Sequence, residues 1–320
     1  MKQYGVFDDV HREYVITDPK TPVKWINYIG GLAFGGFVDQ TGGALICKGD
    51  PAFNRITRYL AQMPNADFKG ETLYLRIHKE NGYQVFSPFF VPTLDPYDRY
   101  ECHVGLGFTR IVSEFYGIRS EVTIFVPDGD GVEIRDIRIT NLSQTALQID
   151  VVPVVEYSHP DALKQLTNAD WVPQTMVSRK VDLGEGRIGL LHYPFMNRDI
   201  QVNLFTANCP VASFETDRKL FLGDNEYQGW ARPVSLQTTN LGNNETLRGD
   251  NIAALLCPLG TLQPGEERRV ITQLRQGISL EAMLPAVLRY FQPPEVDQEF
   301  SRLVKFWDSY LEKMQVKSPD

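Results

Sequence analysis

The chain has 320 residues, 42% hydrophobic and 22% charged, and its 32 Lys and Arg against 40 Asp and Glu give a net charge of -8. That hydrophobic content excludes an intrinsically disordered chain, and the length allows a sizeable core without disulfide or metal staples. The acidic balance, with an isoelectric point near 5.3, argues against a surface for nucleic acid or anionic membrane.

At the start, Asp8 and Asp9 fall where a signal peptide needs an apolar run, and nowhere does the chain approach the ~18 uncharged apolar residues of a membrane span. A soluble, cytoplasmic chain is expected. From Tyr4 to about Gln276 the pattern is one of strands. The glycines of Ile29–Phe37 read as bends in a sheet, and Asp39-Gln40-Thr41-Gly42-Gly43 as a hairpin turn. Glu121–Val126, Glu133–Thr140 and Leu147–Val152 are rich in β-branched residues, and Ile134, Ile137 and Ile139 come close to the period of two of a half-buried strand. Turn clusters at 127–131, 141–143, 184–186 and 263–266 separate the runs. Two hairpins are predicted: Ile134–Thr140 with Leu147–Val152, and Ile252–Cys257 with Arg269–Leu274 around Pro264-Gly265. Strands at roughly 8–12-residue spacing suggest a mainly β protein built as a large antiparallel two-sheet β-sandwich.

From Ser279 the period shifts towards 3.6. Leu280, Leu284, Val287, Leu288 and Phe291 mark one helix, which Pro293-Pro294 stops. Val296, Phe300, Leu303, Val304, Trp307, Leu311 and Met314 mark a second, entered through Pro294. The expected division is a sandwich domain over 1–276 and two linker helices over 277–320, whose apolar faces must pack on the sandwich or on a further domain. Ser318-Pro319-Asp320 has the residue types of a helix start, so a chain cut at the entrance to a helical domain is expected.

Most chemical motifs are missing. Cys47, Cys102, Cys209 and Cys257 form no CxxC pair, and the five histidines form no metal-binding spacing. No phosphate-binding glycine loop and no GxSxG elbow is present. Cys102-His103, in a strand, puts its side chains on opposite faces. The acid pairs Asp8/Asp9, Asp95/Asp98 and Asp128/Asp130 sit in turn contexts and read as structural. One segment stands out. Glu156-Tyr157-Ser158-His159-Pro160-Asp161 follows a strand and leads to Asn168-Ala169-Asp170-Trp171-Val172-Pro173-Gln174, too long for a tight hairpin. It combines an aromatic ring with amides and carboxylates, the groups that hold the apolar face and the hydroxyls of a sugar. Long loops of this composition are often functional. The structural alternative is a loop anchored on its own sandwich by Trp171.

Several strings resemble the N-terminal region of the cellobiose and chitobiose phosphorylases of glycoside hydrolase family 94. They are Phe7-Asp8-Asp9, Arg12–Thr17, Pro19–Pro22, Trp25-Ile26-Asn27-Tyr28, Arg55–Tyr59, Tyr100–Thr109, Thr216-Asp217-Arg218 and Phe221-Leu222-Gly223. The resemblance implies a supersandwich of the galactose-mutarotase type, linker helices, and a catalytic (α/α)6 barrel lying beyond Asp320. It implies inverting phosphorolysis of β-linked glucose-type disaccharides or oligosaccharides, with inorganic phosphate as co-substrate and no metal or organic cofactor. The barrel's general acid lies outside this chain, so no catalytic residue is assigned. The resemblance further implies a homodimer in which Asn168, Trp171 and Gln174 reach the partner's substrate pocket. Trp171, where cellobiose-specific members tend to have Arg, and His103-Val104 depart from the cellobiose pattern and leave the linkage open.

Two rival readings are a stand-alone sandwich that binds glucans without chemistry, and a mutarotase-type sugar enzyme. The second needs a His and a carboxylate on one concave sheet, with His103 and His192 as its candidates.

Overall fold

The computed structural model describes residues 2–167, 171–195, 201–224 and 229–313. In chain order the elements begin with β1 (Gly5–Asp8), β2 (Glu13–Ile16), β3 (Ile26–Gly30), β4 (Gly35–Asp39), β5 (Ala44–Cys47), β6 (Glu71–Lys79) and β7 (Gly82–Phe86). β8 (Arg99–Val104), β9 (Phe108–Phe115), β10 (Ile118–Phe125), β11 (Val132–Asn141), β12 (Leu147–Glu156) and α1 (Ala162–Thr167) follow. Next come β13 (Met176–Gly184), β14 (Arg187–Pro194), β15 (Val202–Ala207), β16 (Ser213–Asp217) and α2 (Arg218–Leu222). The chain closes with β17 (Asn251–Leu262), β18 (Glu267–Gly277), α3 (Leu280–Arg289) and α4 (Pro293–Leu311).

The protein is mainly β and antiparallel. A ten-stranded sheet, β1-β2-β8-β9-β10-β11-β18-β15-β14-β13, stacks on a five-stranded sheet, β16-β17-β12-β6-β7, and β3-β4-β5 form a small third sheet. Ile111, Val122, Ile124, Ile137 and Ile139 of the large sheet meet Leu75, Ile77, Val151, Val155 and Leu255 of the smaller one in one apolar core.

The β4–β5 hairpin forms as predicted, with Gly42 at a φ of 75° and its N–H on the Asp39 carbonyl. The other two predicted hairpins do not form. β11 pairs with β10 and β18, whereas β12 pairs with β17 and β6. Both connections, 142–146 and 263–266, therefore cross from one sheet to the other. The strand patterns are the same for a hairpin and a crossover, because each strand has a core face either way. Asn141 ties the two crossovers together. Its buried side-chain amide donates to the carbonyls of Thr145 (2.8 Å) and Leu262 (2.9 Å), and its backbone bonds to Glu266 and Gly265.

The irregular alternation of β11 also has a structural reason. Ile137 and Ile139 face the core between the sheets, while Val132 and Ile134 lie on the outer face with Phe108, Phe125 and Ile271. α4 covers that outer face through Val296, Phe300 and Leu303, and α3 packs Met283 and Val287 against Val202 and Leu204. Ser279 caps α3 by accepting from the Ala282 N–H, and prolines occupy the first turn of α4. Leu288, predicted on the apolar stripe of α3, is exposed, and Tyr290 is buried instead. The helices thus lie on the sandwich itself. Met314 and the helix start at Ser318-Pro319-Asp320 lie outside the described residues.

Candidate functional site

The segment singled out in the sequence starts from the end of β12. Glu156, buried, lies between two arginines, with Arg58 Nη1 donating to its Oε1 at 3.2 Å and Arg218 Nε at 3.0 Å as an ion pair. Burial pushes the Glu156 carboxyl up, and the two guanidiniums offset part of that push. The backbone holds the cluster in place. Arg58 N–H bonds to the Glu156 carbonyl, and Glu156 N–H to that of Gly70. Arg218 opens α2, whose N-cap Asp217 accepts from the Leu220 N–H at 3.0 Å. Arg58 and Arg218 belong to family-like strings, but nothing in their spacing connects them with Glu156. Only the strand pairing brings the three together.

The next residue, Tyr157, stacks on His192 with ring centroids 4.0 Å apart and planes within 4°. His192 is buried, and its Nδ1 lies 3.1 Å from Asn203 Nδ2 in a chain that continues through Gln276 to Asn54. Burial holds the imidazole at about 3, with the His159 charge acting in the same direction. Beyond Tyr157, His159 Nδ1 accepts from the Asp161 N–H at 3.0 Å, and α1 begins at Ala162. Trp171 is half exposed, and its carbonyl accepts from the N–H of Gln174, itself exposed. Asn168 lies outside the described residues. Trp171 therefore does not anchor the loop as a buried plug; about half of it is exposed.

The other candidates resolve into structure. His103 Nδ1 lies 2.7 Å from Glu13 and its Nε2 3.3 Å from Glu101, on the face of β8 opposite core residues Tyr100 and Cys102. His192, on β14, faces the core between the sheets, and β9, β10, β11, β18 and β15 separate the two strands. His103 lies beside the carboxylates of Glu13 and Glu101 on the face of the large sheet away from the core, and His192 packs against Tyr157 and Asn203 between the sheets. Asp95 accepts from Tyr116 and Asp8 bonds His11, both at 2.7 Å, and Asp130 accepts from Tyr290. Among the described residues no group of three His, Cys, Asp or Glu is placed to hold a metal.

Two features were not foreseen. One is a cleft of about 370 Å3 beside the Arg58–Glu156–Arg218 cluster. The other is an open cleft of about 470 Å3 between the glycine-rich turn around Leu32, the 127–131 turn and α4, where Leu32 is 98% exposed and Phe306 half exposed.

The architecture is a large antiparallel β-sandwich followed by helices packed on it. Residues 12–293 match the model of the glycosyl hydrolase 94 supersandwich domain, and the chain belongs to that family. It is 28% identical over 323 residues to an N,N'-diacetylchitobiose phosphorylase of Vibrio furnissii, covering 99% of this chain and 39% of that protein. It is 25% identical over 325 residues to a solabiose phosphorylase of Paenibacillus borealis, covering 100% and 40%. The chain spans about two fifths of the length of these relatives. A bacterial glucoamylase solved with acarbose superposes with a TM-score of 0.55 at 9% identity, covering 92% of this chain and 40% of that one, which is a likeness of fold.

Proposed function

We propose that this chain is the N-terminal sandwich and linker part of an inverting β-glycoside phosphorylase, which converts a β-linked glucose-type disaccharide or oligosaccharide and phosphate to a sugar 1-phosphate. The observation that supports it is the family match over 12–293 together with relatives, phosphorylases by name, of which this chain spans about two fifths. In this reading residues 1–276 form the sandwich and 277–320 lead towards an (α/α)6 barrel that carries the general acid. The sandwich contributes dimer contacts, and the loop presents Asn168, Trp171 and Gln174 to the partner's substrate pocket. The enzyme is cytoplasmic and uses inorganic phosphate without metal or organic cofactor.

The test is a phosphorolysis assay of this chain on glucose-type disaccharides of several β-linkages. No sugar 1-phosphate is expected. Clear product would place a complete active site within the sandwich and helices and overturn the reading. In the full-length enzyme, Trp171→Ala should weaken acceptor binding by about 1–3 kcal/mol if the indole stacks on a sugar. Unchanged acceptor kinetics would remove that role.

A further inference from the structure

The cleft beside Arg58, Glu156 and Arg218 is built rather than incidental. One wall is the 60–67 loop, held by Lys69, whose buried ammonium donates to the carbonyls of Leu60 (2.8 Å) and Met63 (2.6 Å). Trp230 lines the cleft as well. Its indole is stacked on Phe68 at 3.9 Å and 13°, and its carbonyl accepts from Tyr74 at 2.6 Å. Arg58 and Arg218 converge on one carboxylate oxygen of Glu156, Arg218 through its Nε, and the Nε of Arg58 is buried without a hydrogen-bond partner among the described residues. Such a group is costly unless something satisfies it.

The lining charges decide the class of ligand. Arg58 and Arg218 are balanced by Asp67 and Glu156, so an anion gains no net attraction from the lining. A neutral polyol does gain, because its hydroxyls both donate to carboxylates and accept from guanidiniums. Met63, Phe68 and Trp230 add apolar surface for its C–H groups. The volume falls within the ~300–1,000 Å3 of small-molecule sites. We propose that this cleft binds one hexopyranose unit of a neutral oligosaccharide, as a site separate from the Trp171 loop. The proposal goes beyond the phosphorylase reading and does not need the chain to take part in phosphorolysis.

Ligand-observed NMR titration of this chain with cellotetraose, laminaritetraose and inorganic phosphate tests it. Ala66 and Met63 are exposed on the rim, so Ala66→Trp, or Met63→Trp if the first melts early, fills the cleft without removing a buried group. Wild type should bind at least one tetrasaccharide, and the filled variant should bind it at least about tenfold more weakly at an unchanged melting temperature. No tetrasaccharide binding up to about 10 mM overturns the proposal, as does equal binding by the filled variant. Saturable binding of phosphate without sugar would make the cleft an anion site, against the proposal. Loss of binding in Trp171→Ala alone would move the sugar to the loop. None of these outcomes bears on whether sugar 1-phosphate forms.

Discussion

Arg135 sits between the sheets, 3.0 Å from Glu133 on its own strand and 3.2 Å from Glu71 on the opposite sheet, and also donates to the Gly42 carbonyl. All three charged groups are buried. Burial raises the Glu71 carboxyl well above its usual range, with Arg135 pulling it back and Glu133 adding to the rise. Arg135→Met leaves two buried carboxylates without their cation and should cost about 3–5 kcal/mol in a denaturant titration. Glu71→Gln, which removes one of the competing charges, should cost clearly less. His192 makes the complementary prediction. Its ring titrates at about 3 in the folded chain, against the ordinary histidine value of 6.5, so the unfolded chain binds the extra proton first. The resulting stability is fully present above about 6.5 and drains away as the pH falls towards about 3. His192→Gln should flatten the loss of melting temperature between about pH 6.5 and 4. Parallel curves for the two proteins would show that this imidazole is not the group responsible.

Among the elements, the two crossovers and α4 carry the distinctive energetics. Asn141 serves both crossovers with one side chain, so Asn141→Ala removes its bonds to the carbonyls of Thr145 and Leu262, the second of them buried, and the two it accepts from Ser143. A loss of about 1–3 kcal/mol is expected from chemical denaturation. α4 is held by Phe300 against Phe108 and Phe125, with centroids 5.0 and 5.3 Å away, and by the ion pairs Arg269–Asp297 and Arg12–Asp308. Its last turns need a close approach. Gly107 has a φ of 77°, and a Cβ there would sit 2.6 Å from Trp307 Nε1. Gly107→Ala therefore combines backbone strain with a clash, and should lower stability by about 1–3 kcal/mol while loosening α4 in hydrogen exchange. Unaltered protection of α4 amides would show that the helix does not depend on that contact.

For the whole molecule, the open cleft at the foot of α4 gathers exposed apolar groups: Leu32, Phe306 and, one turn further along the helix, Tyr310. In the proposed function this face meets the remainder of a polypeptide of the relatives' length. In this chain alone it should drive weak self-association, because contiguous exposed apolar surface favours contact. Leu32→Glu with Phe306→Glu should shift sedimentation towards the monomer. An unchanged distribution would mean that the face is not sticky.

Much of the fold was legible in the chain. Alternation and turn residues marked the strands, the change of period at Ser279 marked the helices, and strings such as Trp25–Tyr28 pointed to the family. These signals are local, which is why they survive without a structure. Asn27 shows what they leave out. Its side chain donates to the carbonyls of Gly105 (2.9 Å) and Phe108 (2.7 Å), a role no local pattern reveals. Partner choice between strands was equally hidden, because a core-facing strand has the same residue pattern whether its successor stays in the sheet or crosses to the other. The long loop stood out by composition, yet the cleft at its base did not. Arg58, Glu156 and Arg218 become neighbours through pairings across the sandwich, and Trp230 lines the cleft, stacked on Phe68. Element types and family were set by short-range chemistry, whereas which sheet each strand joins and which charges meet were set by long-range packing of two faces that local patterns cannot tell apart.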